Sequence, residues 1–114
     1  FAFATGGFDW AENGDVIAVT EQEATERMRT YKAISTRDEK SQCLYYEYID
    51  SDQVGHEVWF ADGITLSFWV ETVKGMGDYS IALWRLNGND EDSLKQIIKP
   101  LGIRLIPRGF IICA

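Results

Sequence analysis

Two strand-like runs joined by one turn constrain this chain more than any other feature. Ser41 to Ile49 is rich in tyrosine and free of Gly and Pro, and His56 to Phe60 is a second apolar run. The residues between them, Asp50-Ser51-Asp52-Gln53-Val54-Gly55, are dense in turn formers. The spacing predicts a hairpin. Upstream, Val16-Ile17-Ala18-Val19 reads as a strand, and Thr20-Glu21-Gln22-Glu23 as a capping box with a hydroxyl at the cap and a carboxylate three residues on. The helix that follows carries Ala24, Met28 and Tyr31 on one face and ends near Ile34. Asp62 or Thr65 can cap a second helix, in which Leu66, Trp69, Val70 and Val73 share a face and which Gly75 and Gly77 close.

The ends of the chain are built from shorter pieces. Phe1-Ala2-Phe3-Ala4 reads as a buried strand closed by Thr5-Gly6-Gly7, and Tyr79 to Leu86 as a further strand. Glu91 to Lys99 is an expected helix stopped by Pro100. Leu101 to Ile106 and Phe110 to Cys113 form an expected hairpin around Pro107-Arg108-Gly109. The expected fold is therefore α+β, an antiparallel sheet with helices, in one unit over residues 1–114. With 46% hydrophobic residues in 114, such a unit can bury a core of its own.

A net charge of -7 argues against nucleic acid or an anionic membrane surface as partner. Lys95, Lys99, Arg104 and Arg108 cluster in sequence but alternate with apolar residues, which reads as a solvated face. No apolar run approaches the roughly 18–20 residues of a membrane span. The chain opens without Met, already inside an apolar segment, and so reads as cut from something longer.

Little in the sequence points to chemistry performed by this chain. His56 and Glu57 are neighbours in a strand and face opposite ways, so they make no acid/base dyad and His56 reads as structural. Asp50, Asp52 and Glu57, like Asn89, Asp90 and Asp92, lack the alternating ligands and central glycine of a calcium loop and read as solvated turns. Cys43 and Cys113 match no metal spacing, and no nucleophile triad or phosphate-cradling loop is present. No catalytic residue, metal or cofactor is expected here. Of the four tryptophans, Trp59 and Trp69 read as core. Trp10 and Trp84 each follow an apolar strand and stand beside a polar turn, where a flat ring can stack on the C–H face of a sugar or pack as core.

The order of three segments resembles the C-terminal part of glycoside hydrolase family 18 catalytic domains. These are Gly6-Gly7-Phe8-Asp9-Trp10, the run His56-Glu57-Val58-Trp59-Phe60-Ala61-Asp62, and the run from Ile81 through Trp84-Arg85-Leu86-Asn87-Gly88-Asn89 to Asp90. They look most like the bacterial spore-germination (YaaH) type and the forms fused to polysaccharide deacetylase and glycosyltransferase modules. The likeness spans about Phe1 to Lys95. Gly6 stands where the family has Tyr, Asn87 where it has Gly, and Asn89 where it has Glu.

The resemblance implies that Phe1 to Ala4 is strand seven and Tyr79 to Leu86 strand eight of a (β/α)8 barrel, with Val16 to Phe60 as an α+β insertion. Barrel sites gather at the C-terminal strand ends. The resemblance puts Trp84 under the sugar, with Trp10 and Asp9 as further substrate-binding residues. The family's acid is the Glu of D-x-x-D-x-D-x-E, and the substrate's N-acetyl group is the nucleophile. That motif does not occur between Phe1 and Ala114. The chain is therefore expected to belong to a protein acting on N-acetylglucosamine polymers such as chitin or peptidoglycan, at the cell envelope or outside the cell, and to be inactive alone. Unpaired strand edges would favour homo-oligomers by strand exchange. The competing readings are a noncatalytic carbohydrate-binding module using Trp10 and Trp84, and a structural or interaction domain in which every Trp is core.

Overall fold

The computed structural model of the chain describes residues 1–84, 88–95, 104–106 and 110–112. In chain order the elements are β1 (Ala2–Ala4), β2 (Gly6–Ala11), β3 (Val16–Val19), α1 (Glu21–Thr30), β4 (Thr36–Arg37), β5 (Leu44–Ile49) and β6 (Gly55–Ala61). After them come α2 (Gly63–Met76), β7 (Ala82–Trp84), β8 (Arg104–Ile106) and β9 (Phe110–Ile112). Residues 91–95 are helical. Of the expected elements, the strand end Arg85-Leu86, the helix end through Lys99 and Pro100, and the turn Pro107-Arg108-Gly109 lie outside the described residues, as does Cys113.

The expected hairpin forms, and the period of two decides which face it buries. Leu44, Tyr46 and Tyr48 of β5 stand opposite Phe60, Val58 and His56 of β6 on one face. β2 pairs antiparallel with the other side of β6, and β3 and β4 complete a five-stranded antiparallel sheet in the order β3-β2-β6-β5-β4. Helix α1 covers the inner face, where Val19, Ala24, Tyr46, Val58 and Phe60 make one core. The Tyr46 hydroxyl donates to the Ala24 carbonyl at 2.6 Å, which satisfies a buried polar tip. The capping box starts α1 as expected, Glu23 N–H donating to Thr20 Oγ1 at 3.1 Å and Thr20 N–H to Glu23 Oε2 at 2.7 Å.

The second sheet has the order β1-β7-β9-β8. Its β1 and β7 run parallel in the register Ala2↔Ala82 to Ala4↔Trp84. The β8–β9 hairpin is antiparallel and joins β7 through Ala82↔Ile112. Helix α2 packs Leu66, Val70 and Val73 onto Ala61, Ile81 and Leu83. Asp62 is its N-cap and Thr65 answers as the third helical residue, so both expected capping residues take part. β1 is less buried than its sequence implied, because it is the outer strand of this sheet: Ala2 and Ala4 are exposed, while Phe3 packs on Trp69.

Gly6 and Gly7 differ from expectation. They open β2 instead of forming a turn, so the antiparallel sheet begins at Gly6 and not at Val16. Only Thr5 separates the two sheets, and the backbone changes direction through Gly6 at φ 84°. At Gly7 a Cβ would lie 1.8 Å from the Trp59 carbonyl oxygen. We expect Gly7→Ala to cost about 3 kcal/mol, since the obstacle is backbone and cannot rotate away; chemical denaturation measures it.

Polar contacts lock the sheets together. Buried Glu21 accepts from Ser93 Oγ at 2.6 Å and from the Asp90 N–H at 3.2 Å, and burial pushes its carboxyl up. Arg37 forks onto both Asp62 oxygens, at 3.0 and 2.7 Å, tying β4 to the start of α2.

Candidate functional site

Parallel pairing of β1 with β7 carries Trp84 to the C-terminal end of its strand, where its carbonyl accepts from Thr5 N–H at 2.7 Å. The chain then enters β2, whose outer face presents Phe8 and Trp10 with rings 5.6 Å apart. Trp84 and Trp10 open onto one cavity of about 680 Å³, which Phe8, Trp59 and Trp69 also line. Trp84 is 60% exposed and Trp10 42%, so neither ring is core.

Trp59 is half-buried and faces this cavity, against the expectation that it is core. The cause is register. Val58 and Phe60 point to α1, so Trp59 must point with Glu57 to the outer face. There it stacks on Tyr45, with centroids 4.4 Å apart and planes 15° from parallel, and its Nε1 donates to Glu57. Trp69 is half-buried as well, held by an Nε1 hydrogen bond to the Ser41 carbonyl at 2.8 Å. Cys43 lines the same cavity, but burial raises its thiol, which keeps it protonated and a poor nucleophile.

Asp9 lies on the other face of β2 from Trp10, 2% exposed and outside the cavity. Its Oδ2 accepts from Tyr48 Oη at 2.7 Å and from Arg27 at 2.5 Å, and its Oδ1 meets His56 Nδ1 at 2.7 Å. The other imidazole nitrogen, Nε2, meets Asp50 Oδ2 at 3.0 Å. Tyr48 stacks on His56 with centroids 4.5 Å apart, and Tyr31 covers Tyr48 at 4.3 Å. Burial opposes the Asp9 charge, but the Tyr48 and His56 hydrogen bonds and the nearby cations outweigh it and hold the carboxyl below its usual range. The same group raises the Tyr48 hydroxyl, through burial first and then Asp9.

His56 thus has the structural place expected, with Asp9 and Asp50 as partners instead of Glu57. Burial opposes its charge, yet hydrogen bonds to two carboxylates raise its pKa. Because the folded value exceeds the unfolded one, this contribution to stability is complete below the unfolded value of about 6.5 and is lost as pH rises through the folded value. We expect thermal melts to show the melting temperature falling across that window, and His56→Gln to flatten the fall.

Among the described residues no group of three His, Cys, Asp or Glu side chains is placed to hold a metal. No helix of the described residues is long and apolar enough to cross a membrane.

The fold is mixed α+β, and it matches part of chitinase-like and spore cortex-lytic glycosylase structures. The spore cortex-lytic enzyme SleL of Bacillus megaterium superposes with a TM-score of 0.75 at 28% identity, over 86% of this chain and 24% of that one. SleL of Bacillus cereus gives 0.71 at 26% identity, over 86% and 24%. A chitinase of Chromobacterium violaceum gives 0.78 over 90% and 32%, at 20% identity, which is a likeness of fold alone. The chain spans about a quarter of the SleL structures and about a third of the chitinase. No protein-family model and no curated protein sequence matches it.

Proposed function

We propose that this chain forms an aromatic wall of a polysaccharide-binding cleft in a glycosidase of family 18 type, whose substrate contains N-acetylglucosamine as chitin or peptidoglycan does. The observation that carries the reading is the convergence of Trp84, from the end of a strand paired in parallel, with Trp10 and Trp59 on one open cavity. Sugar rings present apolar C–H faces and polar rims. Exposed tryptophans take the faces, and the neighbouring Thr20 offers a partner to hydroxyl groups. The likeness to the SleL structures supports the same class of ligand.

In this reading the chain binds and does not cleave. The 114 residues hold no D-x-x-D-x-D-x-E motif, so the proton for the leaving oxygen has no donor of the family's kind here. Asp9 serves the fold: both its oxygens are engaged inside the sheet-helix layer. Cosedimentation with insoluble chitin and with peptidoglycan sacculi, followed by a reducing-end assay of the supernatant, tests this. We expect retention on at least one polymer and no new reducing ends. Release of sugar by the purified chain, or failure to sediment with either polymer, contradicts it.

An exposed Trp84 and Trp10 also weigh against a purely structural domain with every tryptophan in the core. Association of copies through strand edges stays a proposal: among the described residues β1 and β8 are the end strands of the second sheet, and a sheet edge can pair with another chain. Light scattering across a concentration series should show a dimer growing in, and a constant monomer mass would remove it.

A further inference from the structure

The outer face of the five-stranded sheet is ordered along the strands as well as across them. One rung places Phe8, Trp59 and Tyr45 side by side; the next places Trp10, Glu57 and Glu47 side by side. Glu47 and Glu57 are directly opposite, both exposed, and like charges so paired oppose the fold. A third carboxylate, that of Glu12, lies over Gly55 at the following rung, where a Cβ would stand 2.7 Å from it, and it accepts from the Gly55 N–H at 3.3 Å. Trp10 and these three carboxylates border a second open cavity of about 630 Å³. Among the described residues no Lys or Arg side chain lines that cavity; His56 does, with its ring held between Asp9 and Asp50.

An aromatic platform beside three carboxylates, with no Lys or Arg among its described neighbours, fits a ligand that is a sugar in shape and a cation in charge. We infer that this face binds the free-amine glucosamine units of a partly de-N-acetylated sugar chain. Trp10 takes the ring face, and Glu47 and Glu57 take the ammonium group. The inference rests on the polysaccharide-binding reading above and narrows its ligand. An N-acetyl group is neutral: its amide N–H can donate one hydrogen bond to a carboxylate but brings no charge to offset the mutual repulsion. An ammonium relieves that repulsion and can approach the Trp10 ring face at the same time.

The test compares two hexamers by calorimetry in mildly acidic, low-salt buffer, one of glucosamine and one of N-acetylglucosamine, with hexalysine as control. We expect the glucosamine hexamer to bind at least about tenfold tighter than the acetylated one, with the difference shrinking as salt rises. The double variant Glu47→Gln, Glu57→Gln should lose that preference while still binding the acetylated sugar. Both substitutions are exposed and remove a repulsion, so the fold should be retained, which circular dichroism checks. Equal affinity for the two sugars, or an unchanged preference in the double variant, overturns the inference and leaves the sugar-binding reading standing. Hexalysine bound as tightly as the glucosamine hexamer overturns it too, since the face would then select charge alone. Failure of both sugars to bind removes this inference and the reading beneath it together.

Discussion

Asp9→Ala is expected to destabilise the chain by about 3 kcal/mol, lowering the melting temperature by on the order of 10–20 °C. The carboxylate is 2% exposed and holds three partners that reach it from α1, β5 and β6. Its removal leaves the Tyr48 hydroxyl without that acceptor and Arg27 beside a low-dielectric pocket. Broken buried pairs cost about 3–5 kcal/mol, and the low end applies because the Arg27 side chain is 31% exposed and can turn to water. Asp9→Asn tests charge separately from shape. It preserves the volume but loses the anion, so it should recover part of the stability and reduce the rise in the His56 pKa, leaving the Asp50 contribution, which proton NMR of the imidazole reads directly. A loss below about 0.5 kcal/mol for Asp9→Ala would show that the cluster adds nothing to the fold, as is usual for exposed ion pairs.

Trp84→Ala is expected to act on binding and spare the fold. The ring is 60% exposed, while the strand that carries it is anchored by its backbone and by buried Leu83 next to it. Central aromatic contacts in a binding site cost about 2 kcal/mol or more on truncation, so affinity for an N-acetylglucosamine hexamer should fall roughly thirtyfold. Stability should change by less than about 1 kcal/mol. The opposite outcome, a large loss of stability with unchanged affinity, would return Trp84 to the role of a packing residue.

The sequence made local features legible and left long-range ones hidden. The α1 capping box lies within four consecutive residues, and the hairpin within a short span, so propensity and pattern suffice for both. Gly6 and Gly7 read as a turn because glycine permits one. Their role as the opening of a strand is set by Trp59 and Val19, which come close only in the folded chain. Trp59 was within reach of the sequence: once Val58 and Phe60 are taken as the buried side of β6, the period of two assigns Trp59 to the other face. Asp9 was not. Its neighbours Phe8 and Trp10 face the other side of β2, and its own side chain answers to Arg27, Tyr48 and His56, none of which is near it in sequence. Trp10 and Trp84 were singled out by their place at strand ends, and the structure opens both onto one cavity.

The cavity beside Trp84 is expected to receive sugar. Tryptophan fluorescence titrated with an N-acetylglucosamine hexamer, in the native chain and in Trp84→Ala side by side, tests it most directly. Saturable quenching or a blue shift is expected in the native chain, and the loss of most of that response in a folded Trp84→Ala. No response in the native chain at millimolar sugar, or an identical response in the two, would contradict it.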